Sequence, residues 1–371
     1  MPIVIEPYRK EHEPAVEAFN QRLQAGGEDI IFFRQAEQQY LAKVEGSNPY
    51  QVQFVALEDG TVRGGYALKR QSFSFADGTV RSIGYYHHCL SEGVINQAYA
   101  RVGSMLLLHA MRQEQMLFCL GMGGYGRPLP NMLIRLGWSH CLIPFYMRVL
   151  RPYRFLKQME GLRTSSMRRI AMDVGAISGA GWTGLKVLQC GQRFRAPRVA
   201  PFSVEQFEEF SDWIDHLWES ARGNYGMAAV RDTKTLRILY PANFPHLTRL
   251  KVIRDGAPVG WAVVAERRKN PRWGDLRVGT VVDCWAAPGD EVTVIRAATE
   301  ALEQRSLDVI VSNQSHQAWC TALEHSGFLK GNSNFVFAAS KKLGELLQPF
   351  RQQKSRMHLT RGDGDGLPWA Y

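Results

Sequence analysis

The 371-residue sequence has no uninterrupted apolar run of 18 residues, so no segment of it is expected to cross a membrane as a helix. It opens Met1-Pro-Ile-Val-Ile-Glu, without the basic stretch and apolar core of a secretory signal. Cysteine is sparse. The six residues at 89, 119, 141, 190, 284 and 320 form no CxxC pair and no metal-ligand spacing. Wide, irregular spacing of this kind fits reduced thiols, and the expectation is a cytoplasmic protein with no metal site. Acidic residues are scarce in one region. From Arg148 to Arg198, eleven Lys or Arg face only Glu160 and Asp173, so this stretch carries nine of the formal net charge of +10. Clustered cations favour polyanions such as anionic lipid head groups or nucleic acid. Association with the inner membrane face through residues 148–198 is one expectation, and a solvated helical linker is the other. Composition is otherwise ordinary for a globular chain, with 45% hydrophobic and 22% charged residues.

What the chain does contain is a long repeat. Phe54-Val-Ala-Leu-Glu-Asp-Gly-Thr-Val-Arg-Gly-Gly-Tyr is echoed by Leu250-Lys-Val-Ile-Arg-Asp-Gly-Ala-Pro-Val-Gly-Trp. Each copy reads as strand, Asp-Gly turn, strand, and then a Gly-containing strand, Ser82-Ile-Gly-Tyr-Tyr-His-His-Cys or Arg277-Val-Gly-Thr-Val-Val-Asp-Cys. An apolar helix, a short strand and a helix ending at Leu136-Gly-Trp or Ser326-Gly-Phe follow in both. Matched elements in matched order predict two copies of one fold. The expected division is an N-terminal domain over 1–150, a basic helical linker over 151–199, a C-terminal domain over 200–340, and a helix and tail over 341–371. In the first copy the predicted strands run at about 52–58, 61–73 and 79–90, with a final strand pair over roughly 138–149.

This element order, with Arg101-Val-Gly-Ser-Met-Leu-Leu entering the first long helix, resembles the GNAT acyltransferases. The fold class implied is α+β: two tandem GNAT-like domains with mixed central sheets. In that family the loop after the fourth strand reads Gln/Arg-x-x-Gly-x-Gly/Ala, and its amides hold the pyrophosphate of acyl-coenzyme A. The physics is general, since unpaired amides and the helix dipole together form an anion seat. Gly103 occupies the second glycine position, Arg101 stands at the first, and Gln97 or Ala98 falls near the family's Gln/Arg. The resemblance therefore implies acetyl-CoA or another acyl-CoA as cofactor, held by Arg101, Val102, Gly103, Ser104 and Met105, with Asn131 on the pantetheine arm or capping its own helix. The second copy reads Ala286-Ala-Pro-Gly-Asp-Glu at the same place. There Asp290 is expected to cap its helix and, with Glu291, to repel a pyrophosphate. The first copy is thus the cofactor half and the second shapes the acceptor site. The tandem arrangement, Leu120-Gly-Met-Gly-Gly and Leu359-Thr-Arg-Gly-Asp-Gly also resemble a bacterial polysaccharide-biosynthesis group and, in architecture, Fem-type transferases. That resemblance implies an amino-sugar or other saccharide amine as acceptor.

Such a reaction needs a base, a polarised carbonyl and an acid for the leaving thiolate. His87 and His88 lie on the strand before the cofactor loop, and alternation puts them on opposite faces. Glu92 is an alternative base. Tyr125, in a Gly-rich loop, is a candidate acid for the thiolate. Asp283, the counterpart of His88, is a candidate acceptor-binding group because a carboxylate on a central strand is costly unless paired. Three functions stay open: acyl-CoA-dependent N-acyl transfer, aminoacyl transfer from charged tRNA, and a non-catalytic, membrane-associated role in polysaccharide assembly.

Overall fold

A computed structural model describes residues 2–36, 40–43, 46, 48–159, 172–173, 176, 180–194, 196–267 and 274–364. Arg163, Arg168, Arg169 and Arg195 of the basic segment, and the tail beyond Gly364, lie outside the described residues. In chain order the strands are β1 (Val4–Pro7), β2 (Tyr50–Glu58), β3 (Thr61–Phe75), β4 (Val80–Ser91), β5 (Leu117–Gly121), β6 (Ser139–Leu142) and β7 (Phe145–Val149). The second half adds β8 (Ser203–Phe207), β9 (Met227–Ala229), β10 (Leu247–Arg254), β11 (Ala257–Arg267), β12 (Val278–Ala286), β13 (Val309–Asn313), β14 (Leu329–Gly331), β15 (Val336–Ala339) and β16 (Met357–His358). The mixed α/β architecture expected from the sequence is present, with one mixed sheet for each copy of the repeat.

The hairpins follow from their turn chemistry. Asp59 and Gly60 have φ of 50° and 72°, and Asp255 and Gly256 have 52° and 78°. Two consecutive positive φ angles make the tight hairpin turn that matches strand twist. The helix α1 (Glu13–Ala25) starts with Pro14 in its first turn and buries Val16, Phe19 and Leu23 against one face of the first sheet. The helix α2 (Val102–Gln113) buries Val102, Leu106, Leu107 and Ala110 against Tyr66, Leu68 and Tyr86 on the other face. Each fully buried side chain of this size contributes roughly 1.5–3 kcal/mol. The helix α3 (Pro128–Arg135) ends as its sequence predicts. Gly137 has φ 78°, and the Trp138 N–H bonds back to the Leu133 carbonyl.

Strand order shows what the repeat did not. The first sheet runs β1-β2-β3-β4-β5-β15-β6, with β9 on β3 and β16 on β9; the second runs β14-β7-β13-β12-β11-β10-β8. The two halves have exchanged a strand. β15 lies antiparallel between β5 and β6, and β7 lies antiparallel between β13 and β14. The strand pair expected over 138–149 is therefore two strands of different sheets, parted at Ile143-Pro144, where the Ile143 N–H bonds to Phe335. The division expected at residue 150 does not coincide with the division between the sheets.

Part of the basic segment is neutralised internally. Arg148 pairs with Glu303, and Arg151 and Arg154 lie 3.8 and 3.4 Å from the buried Asp308. The helices Pro152–Gln158, which is α4, and Ala180–Phe194 represent the expected helical linker within the described residues. No helix among those residues is long and apolar enough to cross a membrane.

Candidate active site

β4 positions the two histidines. Tyr85 opposes Lys69 and His87 opposes Ala67, but Leu90 opposes Gly65, so one extra residue is taken up between them. The strain falls on His88, whose φ is +51°. This β-bulge corrects the alternation argument, because the two histidines share a face. His87 Nε2 lies 2.9 Å from Gln51 Oε1, and its ring stacks on Tyr85 at 4.5 Å. His88 Nε2 lies 2.7 Å from the Ile31 carbonyl oxygen, with its ring 4.5 Å from that of Phe33. The His88 ring thus sits against the loop after α1, while Cys89 packs on the α2 side. A carbonyl only accepts, so His88 carries its proton on Nε2. Gln51 presents its oxygen to His87, which likewise leaves Nδ1 as the basic nitrogen there. Burial, reinforced by His88 and Lys69, pushes the His87 imidazole well below its usual basicity, and burial lowers that of His88.

β4 and β5 pair in parallel only at Gly84–Leu117 and Tyr85–Phe118, and then part. The Tyr85 hydroxyl spans the start of the opening, donating to the Leu120 carbonyl at 2.9 Å. α2 begins beside this opening, because a side chain at Gly103 would find nothing closer than Ser91, the last residue of β4, at 3.8 Å. No side chain caps the helix. Its first-turn amides precede any intrahelical partner, which leaves them and the dipole directed outwards. Val102 is core, Arg101 is exposed, the Ser104 hydroxyl donates to the Arg101 carbonyl at 2.8 Å, and the Met105 N–H bonds to the same oxygen at 3.0 Å. These residues fit a diphosphate: free amides, a flanking cation, and no side chain on the approach.

The remaining candidates lie apart. Glu92 is buried between Arg22 and Arg63, each at 3.1 Å. The Tyr125 hydroxyl lies 3.0 Å from His140 Nδ1, and burial raises its pKa. Asn131 Nδ2 donates to the Arg127 carbonyl at 3.1 Å, within its own helix. Asp283 is wholly buried. Arg231 holds it at 3.0 Å, the Tyr240 hydroxyl donates at 2.9 Å and the Thr360 hydroxyl at 3.0 Å, while Arg231 also reaches Asp363 at 2.9 Å. Burial raises the Asp283 pKa against the pull of Arg231.

Asp283 lines the corresponding opening of the second sheet, and that opening is filled. β12 and β13 keep three registers before parting. The chain's own segment 357–363 lies in the gap: Ser315 N–H bonds to Leu359, His358 Nε2 meets the Cys284 carbonyl at 3.0 Å, and Gln314 bridges to Thr360. At the adjacent helix start, the Asp290 carboxylate takes Arg254 and the Thr293 hydroxyl instead of backbone amides, so it occupies the cap position without capping.

Sequence reasoning missed the residues around His87. Gln51, Gln53, Ala67, Lys69 and Gln71 share its sheet face by register. Gln51 and Gln53 also line a cavity of about 770 Å³ with Tyr8, Glu13 and Lys43. The alternation in Ala67-Leu-Lys-Arg-Gln reads as a solvent face. It is buried because the second half covers it.

No protein-family model matches the chain, and no curated protein matches it. Solved structures do. The chain is similar to a protein from Enterococcus faecalis V583, described as a conserved protein of unknown function and probable N-acyltransferase. The TM-score is 0.52 at 9% identity, over 91% of this chain and 72% of that one. It is also similar to Saccharomyces cerevisiae N-myristoyltransferase with bound myristoyl-CoA, with a TM-score of 0.54 at 10% identity, over 92% of this chain and 80% of that one. A second structure of the yeast enzyme with myristoyl-CoA gives 0.52 at 10%, over 92% and 84%. At such identities the likeness establishes a shared two-sheet fold.

Proposed function

We propose that this protein is an acyl-CoA-dependent N-acyltransferase whose first half holds the thioester and whose amine acceptor approaches across His87. One observation carries the reading. The uncapped first turn of α2, open at Gly103, stands where β4 and β5 part. N-acyltransferase structures of the same fold, one with an acyl-CoA bound, support it.

Bound acyl-CoA would supply an activated acyl group. The amides of residues 102–104 and the Arg101 guanidinium would neutralise its diphosphate. His87 would act on the acceptor. The burial that keeps its imidazole neutral also disfavours an ammonium entering the same space, so the amine arrives largely unprotonated. His87 Nδ1 then takes the proton that becomes acidic as the nitrogen is acylated. The bulge at His88–Cys89 interrupts the β3–β4 ladder beside His87. The leaving thiolate would take its proton from water, since Tyr125, paired with His140, lies apart from His87. The acceptor suggested by the sequence is a saccharide amine, and the filled opening of the second sheet gives that half a shaping role.

Thiol release from acyl-CoA in the presence of amines tests this. His87→Ala should lower kcat/KM by about 10²–10⁴-fold with acyl-CoA affinity unchanged. Full activity in that variant would remove His87 from the mechanism.

A further inference from the structure

Lys69 is an unusual residue to find inside a protein. Its side chain is fully buried, and its Nζ has no hydrogen-bond partner. Both polar atoms of Gln53 and of Gln71 are equally buried and equally without partners. The three belong to one patch. Lys69 pairs directly with Gln51 on one side and Tyr85 on the other, Gln71 is two residues along the same face, and Gln53 opposes Ala67. Gln51 and Gln53 continue the patch into the 770 Å³ cavity, where Lys10 and Lys43 stand with Glu13.

A buried ammonium with three unused donors, flanked by two unused carboxamides, is costly unless something accepts from it. The chain's own acids do not. Asp283 and Asp363 of the second half act on Lys69 only through space, because their oxygens are engaged by Arg231, Tyr240 and Thr360. His87 and Tyr85 from β4 complete the surroundings; the Tyr85 ring lies under Nζ at 5.8 Å, a cation–π contact that leaves the three N–H donors without an acceptor, and neither residue offers an anion.

We infer that Lys69, Gln53 and Gln71 form a carboxylate-binding site behind the wall that Gln51 and Gln53 give the cavity, so that the acceptor is an amine that also bears a carboxylate. This rests on the acyl-transfer reading for the role of the bound amine, but the binding itself needs no acyl-CoA. Two sources share the chemistry: an α-amino acid, or an amino-sugar acid.

The test is calorimetric titration of the full chain without acyl-CoA. The probes are the twenty common α-amino acids against their amides, and 2-amino-2-deoxyglucuronic acid against glucosamine. At least one acid should bind tenfold or more tighter than its neutral partner, and the arm in which it does so identifies the source. Lys69→Met and Gln53→Leu should each abolish that preference. The preference should also fade above about pH 8, where Lys69, its basicity lowered by burial, loses its proton. Thermal unfolding separates this from a structural role. Lys69→Met should raise the melting temperature, because it removes an unsatisfied buried cation. Equal binding of acids and neutral partners, no binding in either arm, or a destabilised Lys69→Met would each overturn the site. A preference that persists while thiol release fails would leave the site standing and remove acyl transfer.

Discussion

At the scale of single residues, the chain stores polar groups inside that titrate far from their usual values. His87, His316 and His358 are all held below ordinary histidine basicity by burial, His316 at about 4. The sign of the pH effect follows. Between pH 6.5 and 4 the unfolded chain binds protons at these positions that the folded chain does not, so stability falls as pH drops through that window. Melting temperature measured from pH 7.5 to 5 should decline steadily, before carboxylates begin to contribute. His316→Asn, which keeps an acceptor for the Ala318 amide at the helix start, should make the decline shallower. A flat profile above pH 5 would contradict the assignment of neutral histidines.

At the scale of elements, the repeat expresses one packing solution twice. A Cβ on Gly64 would stand 2.9 Å from Val102 of α2 and 2.8 Å from the Leu90 carbonyl; one on Gly260 would stand 2.3 Å from Val294 of the matching helix Glu291–Glu303 and 2.6 Å from the Trp285 carbonyl. Both glycines let a helix approach its sheet. Gly64→Ala and Gly260→Ala should each cost about 1–3 kcal/mol in denaturant unfolding, because backbone as well as side chain must move. Loss of less than about 0.5 kcal/mol at both would show the helices free to withdraw.

This regularity was legible because it is local. Asp59-Gly60, Asp255-Gly256, Gly137 and Gly327 mark their turns by positive φ, which few other residues adopt. The strand exchange was not legible. Phe145–Val149 and Val336–Ala339 are short apolar strands, and nothing in their alternation says which sheet will receive them. The bulge at His88 was equally hidden, since one inserted residue reverses a face without changing composition. The site was half legible. Gly103 and His87 announce themselves by residue type and place, whereas Lys69 and Gln71 look like the wet face of a strand until the second half covers them.

At the scale of the molecule, exchange of β7 and β15 joins the halves through their sheets as well as through the connector. The first sheet would lack the strand between β5 and β6 without residues from beyond Val336, and the second would lack the strand between β13 and β14 without Phe145–Val149. The halves then diverge in use. The first keeps a parted β4–β5 pair beside an open helix start, while the second closes the equivalent gap with 357–363 and an Asp290 bound by Arg254. On the proposed reading the molecule has one thioester site, and the most direct measurement is calorimetric titration of acyl-CoA into the wild type, Gly103→Asp and Gly289→Asp. The wild type and Gly289→Asp should each bind one equivalent. Affinity should fall tenfold or more in Gly103→Asp, where a carboxylate meets the diphosphate at a position that an acid suits for folding. No binding to the wild type, or unchanged binding in Gly103→Asp, would contradict a single site at α2.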